Sequence, residues 1–122
     1  MARPSDAIAR LERTREVTIE TRSRTGRTHR VVIWVVVVDG VPYVASYLAK
    51  RGRWWRELIA TGEGALIVGH ERIGVRAHRV RSADTKRAVS AAYAGKYRGS
   101  GSLAAMRTRE VLDTTLRLEL VR

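Results

Sequence analysis

The sequence contains no cysteine. Disulfides, thiolate metal sites and cysteine nucleophiles are therefore excluded. Phenylalanine is absent too, and the two prolines are Pro4 and Pro42. The three histidines, His29, His70 and His78, lack metal-ligand spacing, so no metal is expected. No apolar run approaches the length of a membrane-spanning helix. Met1 to Asp6 carry no apolar signal region. A soluble, cytoplasmic protein with no membrane partner is the expectation. Acidic residues are scarce, 12 against 24 Lys+Arg, which leaves a net charge of +12. Apart from Lys50, Lys86 and Lys96, every one of those cations is arginine. Its planar fork suits phosphate and carboxylate, and a field of this sign attracts polyanions. Also missing are G-x-S-x-G, H-E-x-x-H and G-x-x-x-x-G-K-[ST]. Any catalysis should therefore rest on a cofactor.

What is present is organised around Val31-Val32-Ile33-Trp34-Val35-Val36-Val37-Val38, an unbroken apolar run rich in β-branched residues. Such residues favour strands. The run does not alternate with polar residues, so it predicts a central strand covered on both faces, by the interior on one side and by a helix or second subunit on the other. Asp39-Gly40 ends it with the dipeptide a tight hairpin requires. Upstream, Ser5 to Arg13 read as a helix with Ser5 as N-cap. Glu16 to Arg24 read as a strand whose Thr18, Glu20 and Arg22 face water. With Thr28–Val38 and Val41–Ser46 they suggest a three-stranded antiparallel meander. Arg53 to Thr61 reads as a helix stopped by Gly62. Strands over Gly64–Gly69, Ile73–Val80 and Thr114–Val121, a helix capped by Ser82 and running to about Tyr97, and a short helix from Leu103 to about Arg109 complete the chain. The expected fold is mainly β: a single domain over residues 1–122, with six antiparallel strands curled into a small barrel and inserted helices.

Three basic clusters follow from the same reading: Arg22, Arg24, Arg27, His29 and Arg30 on the first hairpin; Lys50, Arg51, Arg53 and Arg56 around the start of the Trp-Trp helix; and Arg72, Arg76, Arg79 and Arg81 near the fifth strand. The second is the most suggestive. Cations in the first turn oppose the helix dipole, and a bound anion would offset that cost. Trp54 and Trp55 are adjacent and cannot share one helix face. One should pack on the barrel, and the other should border a groove as a platform for a flat, anionic ring system.

The order of elements, with the segments Ile33–Val36, Tyr43–Ser46, Arg51–Arg56, Ala91–Tyr97 and Thr114–Leu118, resembles the flavin-binding split β-barrel superfamily, which includes pyridoxamine-phosphate oxidase and the deazaflavin-dependent reductases. More narrowly, the chain looks like an uncharacterised member family. The resemblance implies a six-stranded antiparallel split β-barrel, a homodimer, and FMN or a deazaflavin bound at the dimer interface. It places the anionic, phosphate-bearing cofactor against Arg30, Ser46, Lys50, Arg51, Arg53 and Arg56, with Trp34 and Trp54 or Trp55 beside the ring. An oxidoreductase of unspecified substrate would follow. Two features depart from the family pattern. The Gly-rich loop and Pro-Trp pair of the deazaflavin reductases are replaced by Leu48-Ala49-Lys50-Arg51-Gly52-Arg53-Trp54, and the oxidase's substrate-phosphate residues have no counterpart. The alternative is a non-enzymatic basic module for nucleic acid or another polyanion. The lack of phenylalanine counts against it.

Overall fold

The apolar run is broken in the middle, and the two halves lie at opposite ends of one sheet. A computed structural model describes residues 4–121, with side chains from Asp6 onward. Its elements are helix α1 (Pro4–Arg13), strands β1 (Val17–Arg22), β2 (Thr28–Ile33), β3 (Val35–Val38) and β4 (Val41–Val44), a 3₁₀ turn (Ala49–Arg51), helix α2 (Arg53–Thr61), strands β5 (Glu63–Val68) and β6 (Glu71–Arg79), helices α3 (Ala83–Lys96), α4 (Leu103–Met106) and α5 (Arg109–Leu112), and strand β7 (Leu116–Val121). The strands pair antiparallel in the order β2-β1-β5-β6-β7-β4-β3. The fold is mainly β, as expected, but has seven strands rather than six. The meander is corrected as well: β1 pairs with β2 and β3 with β4, while β2 and β3 do not pair.

The break falls at Trp34, whose neighbour Val35 is held from outside the ladder. The Val35 N–H donates to the Tyr97 hydroxyl at 3.2 Å, and its carbonyl accepts from Lys96 Nζ at 2.6 Å. Trp34 stacks on Tyr97 with ring centroids 4.0 Å apart and planes 6° from parallel. A peptide satisfied by side chains can leave the strand direction without orphaned groups. The turns on either side form as their residues dictate. Asp39 and Gly40 both take positive φ, 51° and 76°, closing β3 onto β4. Gly62 ends α2 in the left-handed region at φ 80°. Pro42 precedes the two residue pairs that join β4 to β7, so its missing N–H costs that ladder nothing. Helix α1 begins at Pro4, which puts Ser5 inside the first turn and not at the cap.

Two apolar clusters flank the sheet. One gathers α1 and α2 on the concave face, with Leu11, Ile19, Val35, Trp54, Trp55, Leu58, Leu66 and Leu118. The other lies under α3, α4 and α5, with Val36, Tyr43, Val89, Tyr93, Tyr97 and Met106. Strand β3 therefore has the expected two covered faces, the second covered by α3. Strand β2 does not: Val32 is 59% exposed on the outer edge. Strand β1 departs in the opposite direction. Glu20, expected in water, is 6% exposed, because Arg30 and Arg72 close over its carboxylate.

This geometry separates three substitutions within one apolar run. Val35→Asp and Val36→Asp each bury an unpaired carboxylate and should cost about 4 kcal/mol or more. Val32→Asp should cost the monomer no more than about 1 kcal/mol, read at protein concentrations low enough to keep wild type and variant monomeric. Urea denaturation followed by circular dichroism measures all three, and equal losses would contradict the edge position of β2.

Candidate functional site

Strand β4 leads into Ala45-Ser46, and the chain then wraps through Tyr47 and Leu48 into the 3₁₀ turn. Thr114 fixes this segment from below. The Ser46 N–H donates to Thr114 Oγ1 at 2.8 Å, that hydroxyl donates to the Val111 carbonyl at 2.6 Å, and Trp55 Nε1 donates to the Thr114 carbonyl at 2.8 Å. The turn itself closes with Ala49 N–H on the Ser46 carbonyl at 2.8 Å, and Ala49 takes φ 55°. One residue beyond it stands Gly52, at the N-cap of α2. A Cβ there would lie 2.3 Å from Ser46 Oγ, so only glycine leaves that hydroxyl its place. Ser46 Oγ is fully buried and has no hydrogen-bond partner among the described residues. Such a group costs desolvation energy without return.

A cavity of about 660 Å³ opens along this wall, in the size range of small-molecule sites. Its lining includes the β2 edge, Trp34, Ser46, Gly52, Arg53, Trp54 and Met106. Of the nine residues expected at a cofactor site, it brings four together: Trp34, Ser46, Arg53 and Trp54. The two tryptophans do not divide cleanly. Both are buried in the same core cluster, where Trp55 has the Arg79 guanidinium 5.4 Å from its ring centre, and Trp54 in addition lines the cavity. Lys50, Arg51 and Arg56 are exposed and stand outside the cavity lining. Arg30 is committed elsewhere, 3.0 Å from Glu20. Sequence reasoning missed Gly52, Thr114 and Met106. A glycine between two arginines at a helix start was the available signal for the first. The other two required tertiary contacts.

Electrostatics hold α2 in position. On this helix, Glu57 accepts from Thr21 Oγ1 at 2.8 Å on β1, and His29 Nδ1 on β2 lies 3.0 Å from both its oxygens. Burial pushes the Glu57 carboxyl up, but these hydrogen bonds outweigh it and hold the group below the usual carboxylate range. Glu20 is also held low, first by the hydrogen bond from Arg72, against burial, and then by Arg30. At the end of α3, burial lowers Lys96 to about 8, while its ammonium reaches the carbonyls of Leu11 and Val35. Burial raises the Tyr97 hydroxyl, which donates to the Arg15 carbonyl. Both Lys96 and Tyr97 thus hold backbone.

Residues 7–118 match the family described as "Uncharacterized protein conserved in bacteria (DUF2255)". No curated protein matches by sequence. Among solved structures, the chain is similar to a conserved hypothetical protein from Mycobacterium tuberculosis, with TM-score 0.69 and 14% identity over 99% of this chain and 81% of that one. It is also similar to a candidate pyridoxamine 5'-phosphate oxidase from Listeria innocua, with TM-score 0.63 and 10% identity over 97% and 91%. A heme binding protein from Mycobacterium smegmatis matches with TM-score 0.61 and 15% identity over 98% of this chain, which spans 51% of that protein. The shared fold is the split barrel of pyridoxamine-phosphate-oxidase-like proteins. Among the described residues no helix is long and apolar enough to cross a membrane, and no cluster of His, Asp or Glu could hold a metal ion.

The carboxylates that anchor β1 and α2 give the acid dependence its sign. Both are depressed from 4.5 in the folded chain. Their contribution is fully present above pH 4.5 and is lost as pH falls through the folded values. Arg72→Ala removes the strongest lowering partner of Glu20, so its folded value moves back towards 4.5, and the acid-dependent loss becomes smaller and ends at higher pH, with a cost of about 1 kcal/mol at neutral pH. Urea titrations across the acid range check this. Coincident wild-type and variant profiles would contradict it.

Proposed function

The chain belongs to the DUF2255 family, and from the geometry of its cavity we propose that it binds FMN or a deazaflavin and works as an oxidoreductase. The observation that carries this reading is Ser46 Oγ, buried without a partner against Gly52 at the start of α2. The cavity is lined by one carboxylate, Glu16, and one cation, Arg53, so the fit to an anionic group lies at the start of α2. The first turn of α2 has free N–H groups, no acidic side chain, and Arg53 at the cavity. A terminal phosphate placed there would receive the N–H groups, Arg53 and the Ser46 hydroxyl. Trp34 and Trp54 would then flank the ring in the apolar part of the cavity. A deazaflavin's carboxylate tail would continue over the exposed Lys50, Arg51 and Arg56, and the net charge of +12 leans towards it. When bound, the cofactor supplies the electron transfer. The chain's residues bind it, orient it and exclude water. Haem is the weaker fit, because no histidine is among the described lining residues, which leaves Tyr47 and Met106 as the candidate axial donors.

The same reading makes the protein a homodimer. Val32, Tyr47 and Leu48 are each more than half exposed around the cavity mouth, and the outer edge of β2 is unpaired. A second copy would cover both and complete the cavity wall.

Quenching of cofactor fluorescence on titration with protein tests the site. Wild-type chain should bind FMN or the deazaflavin with micromolar affinity. Ser46→Ala should weaken binding about tenfold while leaving stability unchanged or raising it by up to about 1 kcal/mol, since an unsatisfied buried hydroxyl is removed. Gly52→Ala should weaken binding further and cost about 1–3 kcal/mol through the contact with Ser46. No binding of either cofactor would overturn the proposal, as would a Ser46→Ala variant that bound normally. For the interface, sedimentation should give a wild-type dimer and a folded, monomeric Val32→Asp chain. A monomeric wild type would contradict it.

A further inference from the structure

A second cavity, about 640 Å³ in volume, lies between α3, α4 and α5 and shares no lining residue with the first. The consecutive residues Met106 and Arg107 line the two, one each, so the end of α4 separates them. Five cations line this groove: Arg81 before α3, Lys86 and Arg87 on α3, Arg107 after α4 and Arg109 on α5. Asp113 is the one acidic residue in the lining, and it sits 3.1 Å from Lys86. Asp84 engages Arg87 from its own helix. Arg107 is steadied by a 2.9 Å hydrogen bond from Nε to Ser90 Oγ. Neither Arg81 nor Arg109 has an acidic partner among the described residues.

Like charges held together repel, and water and salt only weaken the repulsion. A dense polyanion would remove it. Guanidinium forks meet phosphate oxygens two at a time, so several of them in one small concavity favour a chain of phosphates over a single carboxylate. The lining contains no aromatic residue, so it offers no stacking surface for a base. Its size matches a small ligand, whereas a nucleic-acid duplex, which is convex and wide, would bridge the groove without filling it. We infer that the groove between α3, α4 and α5 is a binding site for a short linear oligophosphate, recognised through its phosphates by Arg81, Lys86, Arg107 and Arg109. This site is independent of the cofactor reading and stands or falls apart from it.

Isothermal titration of the full chain with tripolyphosphate tests the inference, first at low ionic strength and then at physiological salt. One saturable site is expected, weaker at the higher salt. Arg107→Ala/Arg109→Ala should weaken it about tenfold or more. Arg22→Ala/Arg24→Ala, which removes the same charge from the first hairpin, should change it less than about twofold. Ser46→Ala should leave it unchanged. If the groove double variant fails to fold by circular dichroism, Arg109→Ala alone serves, because that side chain has no acidic partner to lose. Absence of saturable binding at low salt would overturn the inference. Equal losses in the two arginine pairs would do so as well, by showing a general charge effect, and loss on Ser46→Ala would assign the ligand to the first cavity. Duplex DNA binding that depends on Arg107 and Arg109, without saturable tripolyphosphate binding, would overturn it in favour of nucleic acid.

Discussion

One peptide corner organises this molecule. Val35 gives its N–H to the Tyr97 hydroxyl and its carbonyl to Lys96, and neither group then needs a strand beside it. The chain can therefore turn at Trp34 and leave one edge of the sheet for the other. Burying an ammonium is expensive, and burial lowers Lys96 to about 8; two carbonyl acceptors offset part of that cost. The same two side chains reach the end of α1 and the link after it, through Leu11 and Arg15. Helix α3 thus clamps the amino-terminal segment, the corner and the cavity wall together. Trp34, pressed against Tyr97, is both the pivot of the corner and part of the cavity lining.

Where the fold was legible in the sequence, local chemistry carried it. Asp39-Gly40 needed only positive φ, Gly62 only a helix end, and Ser82 accepts the Thr85 N–H as a cap should. Long-range partners defeated the rest. Nothing within Val31–Val38 marks a corner, because the groups that create it are 61 and 62 residues further on. Glu20 reads as a wet-face residue until Arg72, 52 residues away, reaches its carboxylate. In the site, the helix start pointed to Arg53 and the tryptophans, the family resemblance added Ser46, and the cavity brings Ser46, Arg53 and Trp54 together. The helix start also drew in Lys50, Arg51 and Arg56, since charge patterning cannot tell which cations border a cavity and which merely lie near it. The groove of arginines beside α3 escaped notice for the converse reason. Its members are dispersed from Arg81 to Arg109 and form no run.

The excess positive charge is consequently not one uniform surface. Part of it is engaged at the surface, where the exposed Arg30 and Arg72 pair with the buried Glu20 and Arg79 lies over Trp55. Part collects in the groove of α3, α4 and α5. The start of α2 has Arg53 and the orphaned Ser46 hydroxyl, and Glu57 fixes this helix to the first hairpin through Thr21 and His29. A helix anchored in this way presents its N-terminal groups without reorganisation, which is what preorganised recognition of an anion requires.

In the proposed complex the start of α2, with Ser46, receives the anionic end of the flavin. A crystal structure with FMN bound tests this, and phosphate oxygens are expected within hydrogen-bond distance of Ser46 Oγ and the first N–H groups of α2, with the ring between Trp34 and Trp54. A phosphate seated among Arg107, Arg109 and Lys86, with the first cavity empty, would contradict it.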